Sequence, residues 1–247
     1  MILETEAIVL RVRKYSDTSK IVVMFSKEFG KISILAKGAF SAKSKFSGLE
    51  PLSYVSISFY KKSSSDLHLL KSIEIVKLFN KITKNYDTLV SGLVVAEMVN
   101  ATQKENFENS ELFLHFVFFL QLLNENAEFG FSLCINFLFY IAGNLGYLLD
   151  FNFVNAHQQN INEIKISLYD AASIHSIDTY SNSNNYQKYF SFRFTTIRKI
   201  SDFDCVNIDK RIELTNSEFS EIVIFFSIFF EFHLDKKIQI KTLDLLC

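Results

Sequence analysis

Between positions 11 and 45 the chain carries Arg11, Arg13, Lys14, Lys20, Lys31, Lys37, Lys43 and Lys45, and the stretch GKISILAKGAFSAKSKFSGLEP, residues 30 to 51, holds no acidic residue before Glu50. Guanidinium and ammonium groups spaced along neighbouring strands and one loop can serve as a track for phosphates. Each such contact releases condensed counterions, which gives salt-dependent affinity for a nucleic acid. Tyr15, Phe40, Phe46 and Tyr60 are interleaved with these cations, and rings beside a cationic groove offer faces on which unpaired bases stack. The competing reading is that the charges only keep a small domain in solution while the rings belong to its core. Residues 1 to 76 hold 12 Lys and Arg against 7 Asp and Glu, a net of +5, whereas residues 77 to 247 hold 14 against 20, a net of −6. The formal net charge of −1 therefore hides two halves of opposite sign, the first suited to a polyanion and the second to protein contacts.

No catalytic arrangement accompanies the cations. There is no GxSxG elbow for a nucleophilic serine and no GxxxxGK[ST] or GxGxxG loop to cradle phosphates. His68, His115, His157, His175 and His233 are isolated from ligand partners, and Cys134, Cys205 and Cys247 are too dispersed for a disulfide framework or a zinc site. Glu97, Glu218, Glu221 and Glu231 fall on predicted helices and read as solvated helix faces. The sequence thus predicts a protein that is not an enzyme and needs no cofactor or metal.

The elements that must position the cations follow from hydrophobic periodicity. EAIVLRVR, KIVVMFS, KISILAK, YVSISFY and LHLLKSIEIV are short, rich in β-branched and aromatic residues, and bounded by turn residues, which reads as five strands. Alternation places Ile8, Leu10 and Val12 on one face of the first strand with Arg11 and Arg13 on the other. It places Ile32, Ile34 and Ala36 inward on the third, Val55, Ile57 and Phe59 on the fourth, and Leu69, Ile73 and Ile75 on the fifth. Five short strands with a long third-to-fourth connection suit a small closed barrel, which leaves no exposed edge. The pattern alone admits an OB-fold or an SH3-like barrel.

From Lys77 onward the period becomes helical, near 80 to 103, 110 to 124, 129 to 145 and 216 to 234, with Thr215 and Glu218 spaced as a capping box and a short turn at KTLDLL. Residues 150 to 210, rich in Asn, Ser and Asp, interrupt this pattern as an insertion with strand-like pieces EIKISLY and YFSFRF. The expected organisation is α+β: a five-stranded barrel over 1–77 and a helical domain over 78–247. The run from Phe129 to Leu149 has no charged residue. Gly143 and Gly146 end its helix after about 15 residues, roughly 22 Å, short of the ~30 Å hydrocarbon thickness. A buried helix is expected there and no membrane span. Acids near the N-terminus and the lack of a basic segment before the first apolar run argue against a signal peptide, which predicts a cytoplasmic protein.

The order of motifs resembles the bacterial RecO recombination mediators. The resemblance rests on TEAIVLRVRKYSDTSKIVVMFSKEFGKISILAKGAFSAKSK, on LEPL before the fourth strand, and on FFEFHLDKKIQIKTLDLL near the C-terminus. It implies an N-terminal OB-fold, a helical C-terminal domain, and a non-enzymatic role in DNA repair and recombination. That role comprises binding single- and double-stranded DNA, annealing complementary strands, and loading a recombinase onto strands coated by single-strand-binding protein. It implies as partners the acidic tail of single-strand-binding protein and a RecR-like protein, with a nucleoid-associated location. The family's basic positions carry over to Lys37, Lys43 and Lys45 and to Arg11 and Arg13, while Phe40 and Ser41 stand where arginines are usual. Lys236, Lys237 and Lys241 are the expected basic neighbours of a partner-binding pocket. Many members hold zinc on four cysteines after a G-Y/F segment. Here Asn155 and His157 occupy the place of the first pair and Cys205 stands alone, so no zinc is expected. The alternative from another class is a protein-docking adaptor with the same two domains and no hold on DNA.

Overall fold

Alternating apolar residues over short runs can close a sheet only if every strand turns the same side inward, and the first five strands do so. A computed structural model of the chain describes residues 1–41, 44, 46–62, 65–151, 162–169, 188–202 and 212–246. Strands β1 (Ile2–Lys14), β2 (Lys20–Ser26), β3 (Gly30–Ala36), β4 (Tyr54–Tyr60) and β5 (Leu67–Lys77) form a closed barrel in the order β1-β2-β3-β5-β4. Neighbours are antiparallel except for the parallel β3–β5 pair, consistent with an OB-fold. Ala7, Val9, Val22, Met24, Ile32, Ile34, Ala36, Val55, Ile57, Phe59, Leu70 and Ile73 fill its interior.

Two faces differ from simple alternation, and both differences come from bulges. In β1 the register passes from Val9↔Met24 to Arg11↔Val23, so Leu10 is an extra residue with no partner on β2. The inward set becomes Ala7, Val9 and Val12 in place of Ile8, Leu10 and Val12. A one-residue insertion exchanges the two faces of everything beyond it. In β5 the register passes from Ser58↔Ser72 to Phe59↔Leu70, and Leu70 replaces Leu69 in the core. Ile75 stays opposite Val55, on the expected face, but is exposed and lies over Gly48; the second shift falls beyond it, between Val55 and Tyr54.

The strands give way to helices where the period changes. A short 3-10 turn (Ile82–Lys84) leads into α1 (Tyr86–Thr102), capped by the Asn85 side chain, and α2 (Ser110–Glu125), capped by Asn109. Phe113 of α2 meets Phe25 and Tyr54 on the outer barrel wall, with ring centroids 6.2 and 6.1 Å apart. The first compact unit therefore runs from Met1 to Gly130 and takes in two helices beyond the strands. After α1 the chain returns to the start of β3. Glu105 bridges to Lys31, and the Asn106 N–H donates to the Lys31 carbonyl at 2.9 Å.

The second unit, Phe131–Cys247, contains nearly all of α3 (Gly130–Asn144), the hairpin of β6 (Glu163–Ser167) and β7 (Tyr189–Arg193), α4 (Phe194–Ser201), α5 (Asn216–Leu234) and a final 3-10 turn (Lys241–Leu245). Its core is aromatic: Phe131 stacks on Phe219 at 4.0 Å, and Phe225 meets Phe192 at 5.0 Å. The capping box of Thr215 and Glu218 forms as the spacing predicts. Glu218 and Glu221 are corrections to the solvated-face reading. Lys199 of α4 lies 2.9 Å from Glu218, while Glu221 lies 2.8 Å from Arg193 at the end of β7 and accepts from the Thr196 hydroxyl of α4, so both acids fasten this segment to α5. Asn155, His157, His175 and Cys205 lie outside the described residues. Among those described, no helix is long and apolar enough to cross a membrane.

Gly30 has φ +61, and a Cβ there would lie 1.8 Å from the Phe107 carbonyl oxygen. Gly30→Ala is expected to destabilise the chain by about 2–4 kcal/mol through left-handed strain and overpacking. Urea unfolding monitored by circular dichroism measures it.

Candidate nucleic-acid interface

The Leu10 bulge turns Arg11 and Arg13 outward, about 7 Å apart along the strand, and both are exposed. Lys14 ends β1 directly opposite Lys20, which opens β2, and Lys20 is in turn opposite Ala36. Lys37 follows Ala36 and is exposed. Five of the predicted cations thus gather where β1, β2 and β3 end together. Lys14 is 3.3 Å from Asp17, an exposed pair that water screens. Lys20 is half-buried, with its ammonium 4.8 Å from the centre of the Phe40 ring. Lys43 and Lys45 lie outside the described residues.

Lys31 does not join this group. It follows Gly30 on β3 and is only 5% exposed. Its Nζ donates to the Asn100 carbonyl at 2.8 Å and lies 3.3 Å from Glu105. Period-two alternation correctly put Lys31 outside the barrel, but α1 covers that wall and turns an expected surface cation into a tie between strand and helix. Exposed Lys61 also stays apart, since its N–H donates to the Met1 carbonyl at the far end of β1.

Of the four rings offered for base stacking, Phe46 packs partly buried against the barrel core. Tyr60 stands opposite Ile2 and Leu69 on the outer wall, away from the cations. Tyr15 and Phe40 remain, 60% and 49% exposed, at the cationic end.

The opposite wall carries acidic side chains. Glu4 and Ser58 are cross-strand partners joined by a 2.9 Å hydrogen bond, and Glu6, Ser56 and Glu74 share the next row. Burial, reinforced by a hydrogen bond to Glu6, pushes the Tyr54 phenol up to about 12. Glu28 pairs with the Thr5 hydroxyl. Lys27 lies 4.0 Å from Glu6, and Lys71 and Lys77 are exposed on β5, so this wall mixes acids with bases whereas the ends of β1, β2 and β3 are mainly basic.

In the second unit a cavity of about 350 Å³ is floored by Leu168, Ile228 and Phe232 and rimmed by Lys188, Lys236 and Lys237. Lys188 reaches it because β6 pairs with β7, and its ammonium is 5.5 Å from the Phe232 ring. Sequence spacing missed Lys188, which lies more than 40 residues before the other two. Lys241 is exposed at the start of the final turn and does not line the cavity. Glu231 and Asp235 also line it, but Glu231 Oε2 is held by the Ile238 N–H at 3.1 Å. Beneath this rim His233 packs between Tyr147 and Phe229, and burial lowers its pKa below the usual imidazole value.

Architecture alone places the chain among proteins that join an OB-type barrel to a helical unit. Comparison of sequences narrows this to one family. The model described as "Recombination protein O N terminal" matches residues 1–79, and "Recombination protein O C terminal" matches residues 83–239. The chain belongs to the RecO family of DNA repair proteins. The DNA repair protein RecO of Salinibacter ruber is 36% identical over 124 residues, 50% of this chain and 48% of that protein. RecO of Mycoplasma mycoides is 27% identical over 161 residues, 64% of each chain. RecO of Pelodictyon phaeoclathratiforme is 47% identical over 70 residues, 28% of this chain and 27% of the relative. The chain thus spans about half to just under two thirds of the length of the first two curated relatives.

Lys31→Gln separates structural from surface cations. It should lower unfolding free energy by about 1–3 kcal/mol, because the Asn100 carbonyl and Glu105 lose a charged donor. It should leave the salt dependence of DNA binding unchanged in a filter-binding titration.

Proposed function

We propose that the protein is a DNA repair and recombination mediator that works without catalysing a reaction of its own. The barrel end formed by β1, β2 and β3 binds DNA, and the observation that carries this reading is the convergence of Arg11, Arg13, Lys14, Lys20 and Lys37 there. A strand held by its phosphates leaves its bases free to pair, so a second strand anneals by base pairing without nucleotide hydrolysis. This reading also assigns DNA contact to Lys43 and Lys45, six and eight positions after Lys37 in sequence.

The second unit docks protein. An apolar floor under Lys188, Lys236 and Lys237 suits an acidic peptide ending in an apolar side chain, the chemistry of the single-strand-binding protein tail. Bringing that protein and DNA to one chain, together with a RecR-like partner, would let a recombinase replace the coating protein at the nucleoid. Family membership and the grouping of cations at one barrel end support this assignment over an adaptor that has lost DNA.

The triple substitution Arg11→Gln, Arg13→Gln and Lys37→Gln tests it. Filter binding to an oligonucleotide across a salt series should show weaker binding and a log–log slope flatter by about 2–3, at ~0.7–0.9 per lost phosphate contact. No salt-sensitive binding by the unmodified chain would favour the adaptor.

A further inference from the structure

The cations explain a hold on phosphates but do not distinguish a single strand from a duplex. Two large rings at the same barrel end supply that distinction. Tyr15 opens the β1–β2 turn, where its N–H donates to the Ser19 carbonyl at 2.9 Å. Phe40 lies in the loop after β3, where Gly38, at φ +77, turns the chain back and the Ser41 hydroxyl donates to the Gly38 carbonyl at 2.8 Å. The two loops are joined, because the Phe40 N–H donates to the Thr18 carbonyl at 3.1 Å. Exposed rings of this size on a turn contribute little to folding, yet the backbone at both is tied down.

The surroundings of Phe40 are specific. The Lys20 ammonium sits 4.8 Å from its ring centre, a cation–π contact that anchors the ring, while the side chain stays 49% exposed. Tyr15 is 60% exposed and directly follows Lys14. Phe46 shows a different outcome, since it is partly buried and packs against the barrel core, whereas Phe40 faces solvent.

We propose that Tyr15 and Phe40 are a nucleobase-stacking pair that makes this barrel end select unpaired DNA over duplex. Stacking requires a base face that is not already covered by its neighbours, which a single strand offers and a duplex does not. Lys14 and Lys37 neutralise phosphates on either side, and the bases of the same strand settle on the two rings. The inference rests on the DNA-binding reading above and adds a residue-level source of strand selectivity to it.

The test uses the full chain and three probes of equal length: an oligo(dT) strand, an abasic strand with the same phosphates, and a duplex. Tyr15→Ala and Phe40→Ala should each weaken oligo(dT) binding by about 5- to 150-fold, the range for one lost base stack. Both should leave the abasic strand, the duplex and the salt slope unchanged, and Phe40→Trp should retain oligo(dT) affinity. Unchanged oligo(dT) binding in the alanine variants, or equal losses on oligo(dT) and abasic strands, overturns the stacking role while DNA binding stands. If the unmodified chain binds none of the probes, the DNA-binding reading fails and the stacking role falls with it.

Discussion

One unpaired residue, Leu10, decides which way the end of β1 faces. Up to Val9 the strand turns Ala7 and Val9 inward, and unbroken alternation would continue inward with Arg11 and Arg13. Two guanidinium groups inside a barrel filled by Val22, Met24 and Ile34 would be buried without partners, at a cost no packing there offsets. The bulge exchanges the faces, sends Val12 into the core and sets both arginines on the outer wall. Arg11 and Arg13 owe their place at the cationic end to that exchange, and the register that follows it sets Lys14 opposite Lys20.

The same barrel distributes charge unevenly along its walls. Glu4, Glu6 and Glu74 line the face shared by β1, β4 and β5, with Glu4 bonded to Ser58 and Glu6 to Tyr54, while Arg11, Arg13, Lys14, Lys20 and Lys37 lie where β1, β2 and β3 end. In the proposed binding mode, phosphates are drawn to the basic end in preference to the wall where acids and bases are mixed. The wall next to the barrel's β2–β3 turn is closed by α1 and α2, and Lys31 marks the place where a basic residue is used for folding instead of recognition.

Much of this was legible in the sequence. The five strands, the inward faces of β3 and β4, the long helices, the capping box at Thr215 and the strand-like pieces of the polar insertion all follow from periodicity and turn residues. The faces of β1 and β5 were not, since a bulge adds one residue without any compositional mark. Lys31 was misread because a strand's outer face can be covered by a helix 70 residues later, and nothing local reveals it. Helix α4 was hidden in a segment whose polarity suggested an irregular excursion; ion pairs to Glu218 and Glu221 hold it in place. Lys188 escaped notice because only the β6–β7 pairing brings it to Phe232.

The central claim is that nucleic acid lies across the ends of β1, β2 and β3. Backbone amide NMR of the full chain during titration with a short single strand tests it most directly. The account predicts that the resonances that move first belong to Arg11 through Lys20 and Lys37 through Phe40. Movement centred on Glu4, Glu6 and Glu74, or spread evenly over the barrel, would contradict it.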